Sequence, residues 1–204
     1  MKISTEPYLE ALPQLPREGQ HLVAHQHATQ LVVYQAYKPS IARYAVEHQQ
    51  LGGPEFSYGR MSWIKPNFLW MMYRCGWASK ENQERVLALW LDRTAFENIL
   101  GEAAFSTFAA GGYASPAEWQ HELATKQVRL QWDPDHGPHG NKLARRAIQL
   151  GLKDEVLEQF GRQQVTLIED ITDFVQQQKR HVANRQLSQL AVPIERVYQV
   201  ADPV

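Results

Sequence analysis

One stretch limits what this chain can fold into. From Tyr58 to Ala78 it reads Tyr-Gly-Arg-Met-Ser-Trp-Ile-Lys-Pro-Asn-Phe-Leu-Trp-Met-Met-Tyr-Arg-Cys-Gly-Trp-Ala, and it holds three of the six Trp, three of the four Met and the only Cys. Apolar bulk of this density belongs inside a fold. Phe68, Leu69, Met71, Met72 and Cys75 recur at helical spacing, Pro66 suits a first helical turn and Gly76 a C-cap. A helix that is apolar nearly all round is a core helix. Ahead of Pro66, Met61, Trp63 and Lys65 share one side of an extended segment, and Arg60, Ser62 and Ile64 share the other. Three cations, Arg60, Lys65 and Arg74, therefore sit among bulky aromatics. A cation beside a core must meet a buried carboxylate or an anionic ligand. The stretch thus has two readings: ion-paired core, or the lining of an anion-binding cleft.

The flanking sequence supplies the rest of a fold. Leu31 to Tyr37 is apolar and β-rich, and Pro39 opens a helix bearing Ile41, Tyr44, Ala45 and His48. A strand running straight into a helix is a common place for ligand groups, which makes Tyr34, Gln35 and Tyr37 candidates. Arg85 to Leu91 reads as a buried strand, with Asp92 as N-cap for a helix presenting Phe96, Ile99 and Leu100. Ser115, Pro116 and Glu118 mark another helix start. Val128, Leu130 and Trp132 alternate with Arg129 and Gln131, as in a strand with one buried face. That strand enters the turn-rich segment Asp133 to Gly140, and Arg145 and Arg146 precede a further strand from Ala147 to Leu152. A helix follows from Lys153, Val165 to Ile171 fits strand or helix, and Thr172 is placed to cap a last helix. The tally is about five strands and five or six helices in mixed order. It predicts an α+β fold: a single domain with a mixed or antiparallel central sheet of about five strands and flanking helices. Residues 1–20 read as an irregular arm tied down by Tyr8, Leu9 and Leu12, residues 21–190 as the domain, and residues 191–204 as a tail packing back.

Composition removes several classes of function. A net charge of −1 argues against a strongly basic nucleic-acid binder. One Cys excludes an internal disulfide and fits a cytoplasmic, reducing setting. No apolar run is long enough for a membrane span, and no secretory leader is visible. Phosphate-binding Gly loops, a nucleophile elbow, a Cys-x-x-Cys pair and a zinc-protease helix are all absent. His21 and His25 can share a helix face, but three nearby His with no Cys or carboxylate make a weak metal set. Asp133, Asp135, His136 and His139 supply enough ligands on paper, in a loop stiffened by Pro134 and Pro138. No metal is assigned to either set. Asp133 and His136 are the general acid/base candidates, since a strand end is where such groups act. Arg60, Trp63, Lys65, Arg74, Arg129, Arg145 and Arg146 are the candidates for holding an anion, because guanidinium forks match phosphate and carboxylate. Salt bridges to Glu55, Glu84, Asp92 or Asp133 are the competing use of those cations.

Val33-Tyr34-Gln35-Ala36-Tyr37, the run Arg60 to Arg74, Gln83 to Ala88, Gln131-Trp132-Asp133-Pro134 and Ile148 to Leu152 together resemble the domain of unknown function 4291 family. The resemblance covers roughly residues 30 to 175 and implies a single soluble domain, with no activity attached. The chain departs from it at Cys75, where a small residue such as Ser is expected, which argues against a nucleophilic role for that thiol. The functional expectation is a domain binding a phosphorylated small molecule or a nucleic-acid end, with NAD or another nucleotide as cofactor or substrate. Group transfer of ADP-ribosyltransferase type is the matching reaction. The alternative is a non-catalytic module for a protein or a single-stranded nucleic acid.

Overall fold

The structure, a computed structural model, describes residues 1–200. From the amino terminus the chain forms β1 (Thr5–Pro7), α1 (Tyr8–Ala11), β2 (Gly19–Gln20), β3 (Val23–His25), β4 (Gln30–Tyr37), α2 (Pro39–His48) and β5 (Ser62–Ile64). Next come α3 (Phe68–Cys75), β6 (Arg85–Asp92), α4 (Arg93–Gly101), β7 (Ala103–Phe105), α5 (Pro116–Thr125), β8 (Val128–His136) and β9 (Lys142–Leu152). The chain closes with α6 (Asp154–Gln159), β10 (Val165–Asp170), α7 (Thr172–Ala183), β11 (Ala191–Pro193) and β12 (Glu195–Val197).

β6 is central because it is apolar on both faces: Val86 through Leu91 are all fully buried. It pairs antiparallel with β4 and β10. One face of this sheet, with Leu31, Val33, Leu87, Leu89 and Leu91, packs against β8, β9, α2 and α4. The other face, with Val32, Tyr34, Val86, Ala88 and Trp90, packs against α3 and α7. The alternation of side chains along β4 and β6 therefore creates two cores, one on either side of a single sheet.

The second sheet is mixed and five-stranded, and the fold is one α+β domain. β9 is its hub. It pairs antiparallel with β8, which carries β7 in parallel on its outer edge. Along its other edge β9 takes β2 in parallel and β5 antiparallel. A two-way backbone bridge between Tyr34 and Lys65 joins the sheets: Tyr34 N donates to Lys65 O at 2.7 Å, and Lys65 N to Tyr34 O at 3.2 Å. That bridge fixes the residue after β5 to the middle of β4, the edge strand of the first sheet.

Several elements differ from the sequence expectation. The first twenty residues are not irregular: β1 pairs with β11 of the tail, and Tyr8 is buried, whereas Leu9 and Leu12 are exposed. Prolines spaced along an edge do not prevent strands of two or three residues. The tail forms β11 and β12 against β1 and β3, while residues 201–204 lie outside the described ones. His25 lies on β3, so the helix shared with His21 does not form. The turn-rich segment narrows to Gly137–Gly140, because β8 continues through Asp133 and His136 and β9 already contains Arg145 and Arg146. Pro134 is accommodated by a register shift between Pro134 and His136, where a ladder N–H is not needed. Asn67, not Pro66, starts α3: its side chain accepts from Trp70 N at 2.8 Å. Gly76 ends α3 in the left-handed conformation, as its sequence position suggests.

Candidate functional site

The strongest polar cleft lies where β4, β5, α3 and the β8–β9 hairpin meet. Its volume is about 550 Å³ and it is lined by Gln35 and Tyr37 of β4, Ser62 and Trp63 of β5, Met71 and Arg74 of α3, and by Arg60, Met61, Lys65, Gln83, Gln131 and Gln149. The three cations of the Trp-rich stretch thus converge. Among the described residues no carboxylate lines it. Among the described residues, Arg60, Lys65 and Arg74 form no ion pair, and all eight pairs in the fold use other cations. Neither Glu55 nor Glu84 takes up any of them: Glu55 pairs with Lys38, and Glu84 accepts from Asn82 N.

Lys65 has the most constrained environment. Its backbone is clamped to Tyr34, its residue is only 4 % exposed, and its ammonium lies 5.1 Å from the centre of the Trp70 ring. Its ammonium donates to Trp63 O at 3.5 Å, its one hydrogen bond among the described residues. Burial, reinforced by the Arg74 guanidinium and partly offset by Asp133, pulls its pKa down to about 7. A lysine with this pKa gains or loses a proton near neutrality.

The amides around it are also ordered. Gln131 and Gln149 stand opposite each other on β8 and β9. Both Nε2 groups donate to Asp133, at 2.8 and 2.7 Å. A carboxylate only accepts, so this contact fixes the amide orientation and leaves both carbonyl oxygens for the cleft. Gln35 behaves alike: Nε2 donates to Ser62 Oγ at 2.7 Å and to Trp63 O at 3.3 Å, and its buried Oε1 has no partner. Tyr37 Oη is 3.1 Å from Ser62 Oγ, and burial pushes its pKa upward. The cleft therefore offers three cations and the carbonyl oxygens of Gln131 and Gln149 on a frame whose hydrogen bonds are already made.

Other expected residues lie elsewhere. Tyr34 is fully buried, and its hydroxyl faces Glu195 without a hydrogen bond of standard geometry. Arg129 caps the carboxyl end of α5 by donating to Leu123 O, Lys126 O and Val128 O, so it does not reach the cleft. Arg145 is buried and pairs with Asp135 at 2.6 Å, while its Nη1 donates to Pro16 O. Arg146 donates to Trp132 O at an exposed position. Alternation along β9 turns Arg146 away from the face of Gln149, whereas Arg129 and Arg145 share the faces of Gln131 and Gln149 but are taken up by the end of α5 and by Asp135. His136 is buried with neither ring nitrogen partnered, and it stacks on Tyr73 with ring centres 3.5 Å apart. Burial lowers its pKa, so it is a neutral aromatic support outside the cleft and not an acid/base group of it. Asp133 stays with the site, as the carboxylate beneath its amides. Among the described residues no group of three or more His, Cys, Asp or Glu is placed to hold a metal, and no helix is long and apolar enough to cross a membrane.

Sequence reasoning did not single out Ser62, Gln83, Gln131 or Gln149. For the last two a signal existed: each is an amide between apolar neighbours, Leu130 and Trp132 or Ile148 and Leu150. Their register as a facing pair becomes visible only in the folded hairpin.

The family model described as a domain of unknown function (DUF4291) matches residues 21–198. No curated protein matches the chain.

Proposed function

The chain belongs to the DUF4291 family, and from that premise we propose that its cleft binds a nucleotide-like ligand, NAD included, through the ligand's phosphates. The observation that carries this reading is the convergence of Arg60, Lys65 and Arg74 on one cavity with no carboxylate among its lining. Three cations with no ion pair among the described residues repel one another, Asp133 offsets only part of that charge, and an anion relieves the repulsion. The carbonyl oxygens of Gln131 and Gln149 extend the reading from a bare anion to a nucleotide, because they accept from a base amine or a carboxamide. Trp63 adds an aromatic wall.

Group transfer of ADP-ribosyl type fits this set. In such a step the bond from ribose C1′ to nicotinamide breaks and nicotinamide leaves with the electron pair. The acceptor's oxygen or nitrogen then bonds to C1′ and surrenders its proton. With the diphosphate bound, Lys65 is the ammonium that pairs with it, so the acceptor's proton passes to solvent, and Asp133 holds the amides around the cleft.

The test is a thermal-shift series with pyrophosphate, ADP, NAD and ADP-ribose, with adenosine as the uncharged control. A ligand at a hundred times its Kd stabilises by about 2.7 kcal/mol. The phosphorylated ligands are expected to raise Tm and adenosine is not, and Arg74→Ala removes the shift while keeping the fold. If no phosphorylated compound shifts the wild type, the reading is wrong.

A further inference from the structure

A second concavity lies across α3 from the cleft. It occupies about 500 Å³ between the carboxyl end of α3, the Gly137–Gly140 turn and the last turns of α7. Lys179 and Arg185 line it, together with His139 and the rings of Tyr73 and Trp77. It too has no carboxylate in its lining. Neither Lys179 nor Arg185 forms an ion pair among the described residues. A chain with 22 acidic and 21 basic residues would not be expected to keep acids out of two adjoining hollows without a use for them. Together the hollows gather Arg60, Lys65, Arg74, Lys179 and Arg185.

Tyr73 links them. It precedes Arg74 on α3 and is 43 % exposed, unusual for an aromatic in so apolar a helix. One face of its ring rests on buried His136, with the planes 9° apart. Gly140 passes beside the ring, with room there for a Cβ at 3.5 Å. Lys80 folds back over the helix end, donating to Arg74 O at 2.7 Å and lying 5.8 Å from the Tyr73 ring centre. A rigid, half-open aromatic ring beside unpaired cations is a stacking platform for a base, and cations spaced on either side suit successive phosphates. α3 is about 10 Å across, a width that a short oligonucleotide spans.

We propose that the groove of Tyr73, Lys179 and Arg185 binds a single-stranded nucleic acid, one base stacking on Tyr73, with the terminal phosphate of the strand in the Arg60–Lys65–Arg74 cleft. This rests on the cleft reading above and names the polymer to which that phosphate belongs. Two adjoining sites joined by a connected ligand bind it more tightly than either alone.

Fluorescence anisotropy with a labelled ten-nucleotide single strand tests it, using 5′-phosphorylated and 5′-hydroxyl forms, with ADP measured separately by thermal shift. The phosphorylated strand is expected to bind at least tenfold more tightly than the hydroxyl strand. Tyr73→Ala should weaken strand binding roughly tenfold with the ADP shift unchanged, and Tyr73→Phe, which keeps the ring, should bind as wild type. Lys179→Ala with Arg185→Ala should flatten the dependence of log Kd on log salt by roughly 1.4 units of slope. If ADP binds but strand affinity ignores Tyr73 and the groove cations, this inference fails and the cleft reading stands. If ADP does not bind and strand affinity ignores Arg74→Ala, both fail. Equal binding of polyglutamate, competing with the strand, would replace the nucleic acid with an acidic protein partner and overturn the proposal.

Discussion

Lys65 is where the molecule gives up stability. Its folded pKa of about 7 lies below the ordinary 10.5. Between those pH values the unfolded chain holds a proton that the folded chain releases, so the fold loses stability as pH falls through that window. The gap sets an upper limit of roughly 5 kcal/mol. Lys65→Met is therefore expected to stabilise the protein at pH 7 by roughly 1 to 5 kcal/mol and by almost nothing near pH 11, while reducing the ligand-induced Tm shift. Urea unfolding at the two pH values measures this, and a destabilised methionine variant at pH 7 would count against the uncompensated ammonium. A bound diphosphate reverses the bias by raising the lysine's pKa, so binding takes up a proton. NAD, whose diphosphate keeps its charge over this range, should bind progressively more weakly above pH 7, by up to tenfold per pH unit, with Lys65→Met flat. Cys75 is the opposite case. It is fully buried, burial pushes its thiol pKa upward, and its Sγ accepts from Ala78 N at 3.4 Å. It helps hold the left-handed residues Trp77 and Ala78 in place, and it should resist alkylation in the native state at pH 7.5, followed by mass spectrometry.

Among the elements, α3 has the most depending on its ends. Asn67 Oδ1 caps Trp70 N, and its Nδ2 donates to Glu195 Oε2, whose Oε1 accepts from Phe68 N at 2.8 Å. Burial raises the pKa of Glu195 well above the usual carboxylate range, so this acid depends on each of those donors. Asn67→Ala removes the cap and one donor to a buried carboxyl, and a loss of roughly 2 to 3 kcal/mol is expected by urea unfolding. The helix itself was legible in the sequence from its spacing and from Gly76; its first turn was displaced because the Asn67 side chain outcompetes Pro66 as a start signal. Arg129 shows a different limit. Alternation along β8 correctly put it opposite the buried Val128 and Leu130, but only the folded α5 and its C-cap supply the Leu123 and Lys126 carbonyls that it caps. Arg129→Ala is accordingly expected to lower Tm by a few degrees, a loss of about 1 kcal/mol, and to leave ADP binding unchanged, whereas Arg74→Ala does the reverse. Calorimetry of the two variants side by side separates a structural arginine from a ligand-binding one.

At the scale of the whole molecule, what a single sequence hides is long-range pairing. The buried strands β4 and β6 and the Trp-rich core helix announce themselves, because their apolar runs exceed what a surface could carry. The cleft was half visible: Arg60, Lys65 and Arg74 are close in sequence, so one segment could place them together. Gln149 and Asp133 join them only through the β8–β9 register, and Arg145 leaves them for Asp135 by the same register. The termini were least legible, since β1 finds β11 about 185 residues away and no local pattern encodes that distance. Their pairing changes what an N-terminal deletion should do. Residues 1–16 contribute the β1 ladder and buried Ile3, Tyr8 and Ala11. They also supply Glu6, which takes two hydrogen bonds from Arg196, and Pro16 O, which accepts from Arg145. Arg145 and Asp135 are a buried pair, and loss of the Pro16 acceptor leaves a guanidinium N–H unmatched beside them. A disposable arm would leave stability unchanged when removed. Deletion of residues 2–16 is instead expected to lower the unfolding free energy by several kcal/mol, since burial of two large side chains alone is worth about 1.5–3 kcal/mol each. Hydrogen exchange should show lost protection in Ala191–Val197, the strands it pairs with or supports, and preserved protection in β4 and β6. A truncated chain that melts with the full-length one would show that β1 and β11 contribute nothing to holding the two sheets around the cleft.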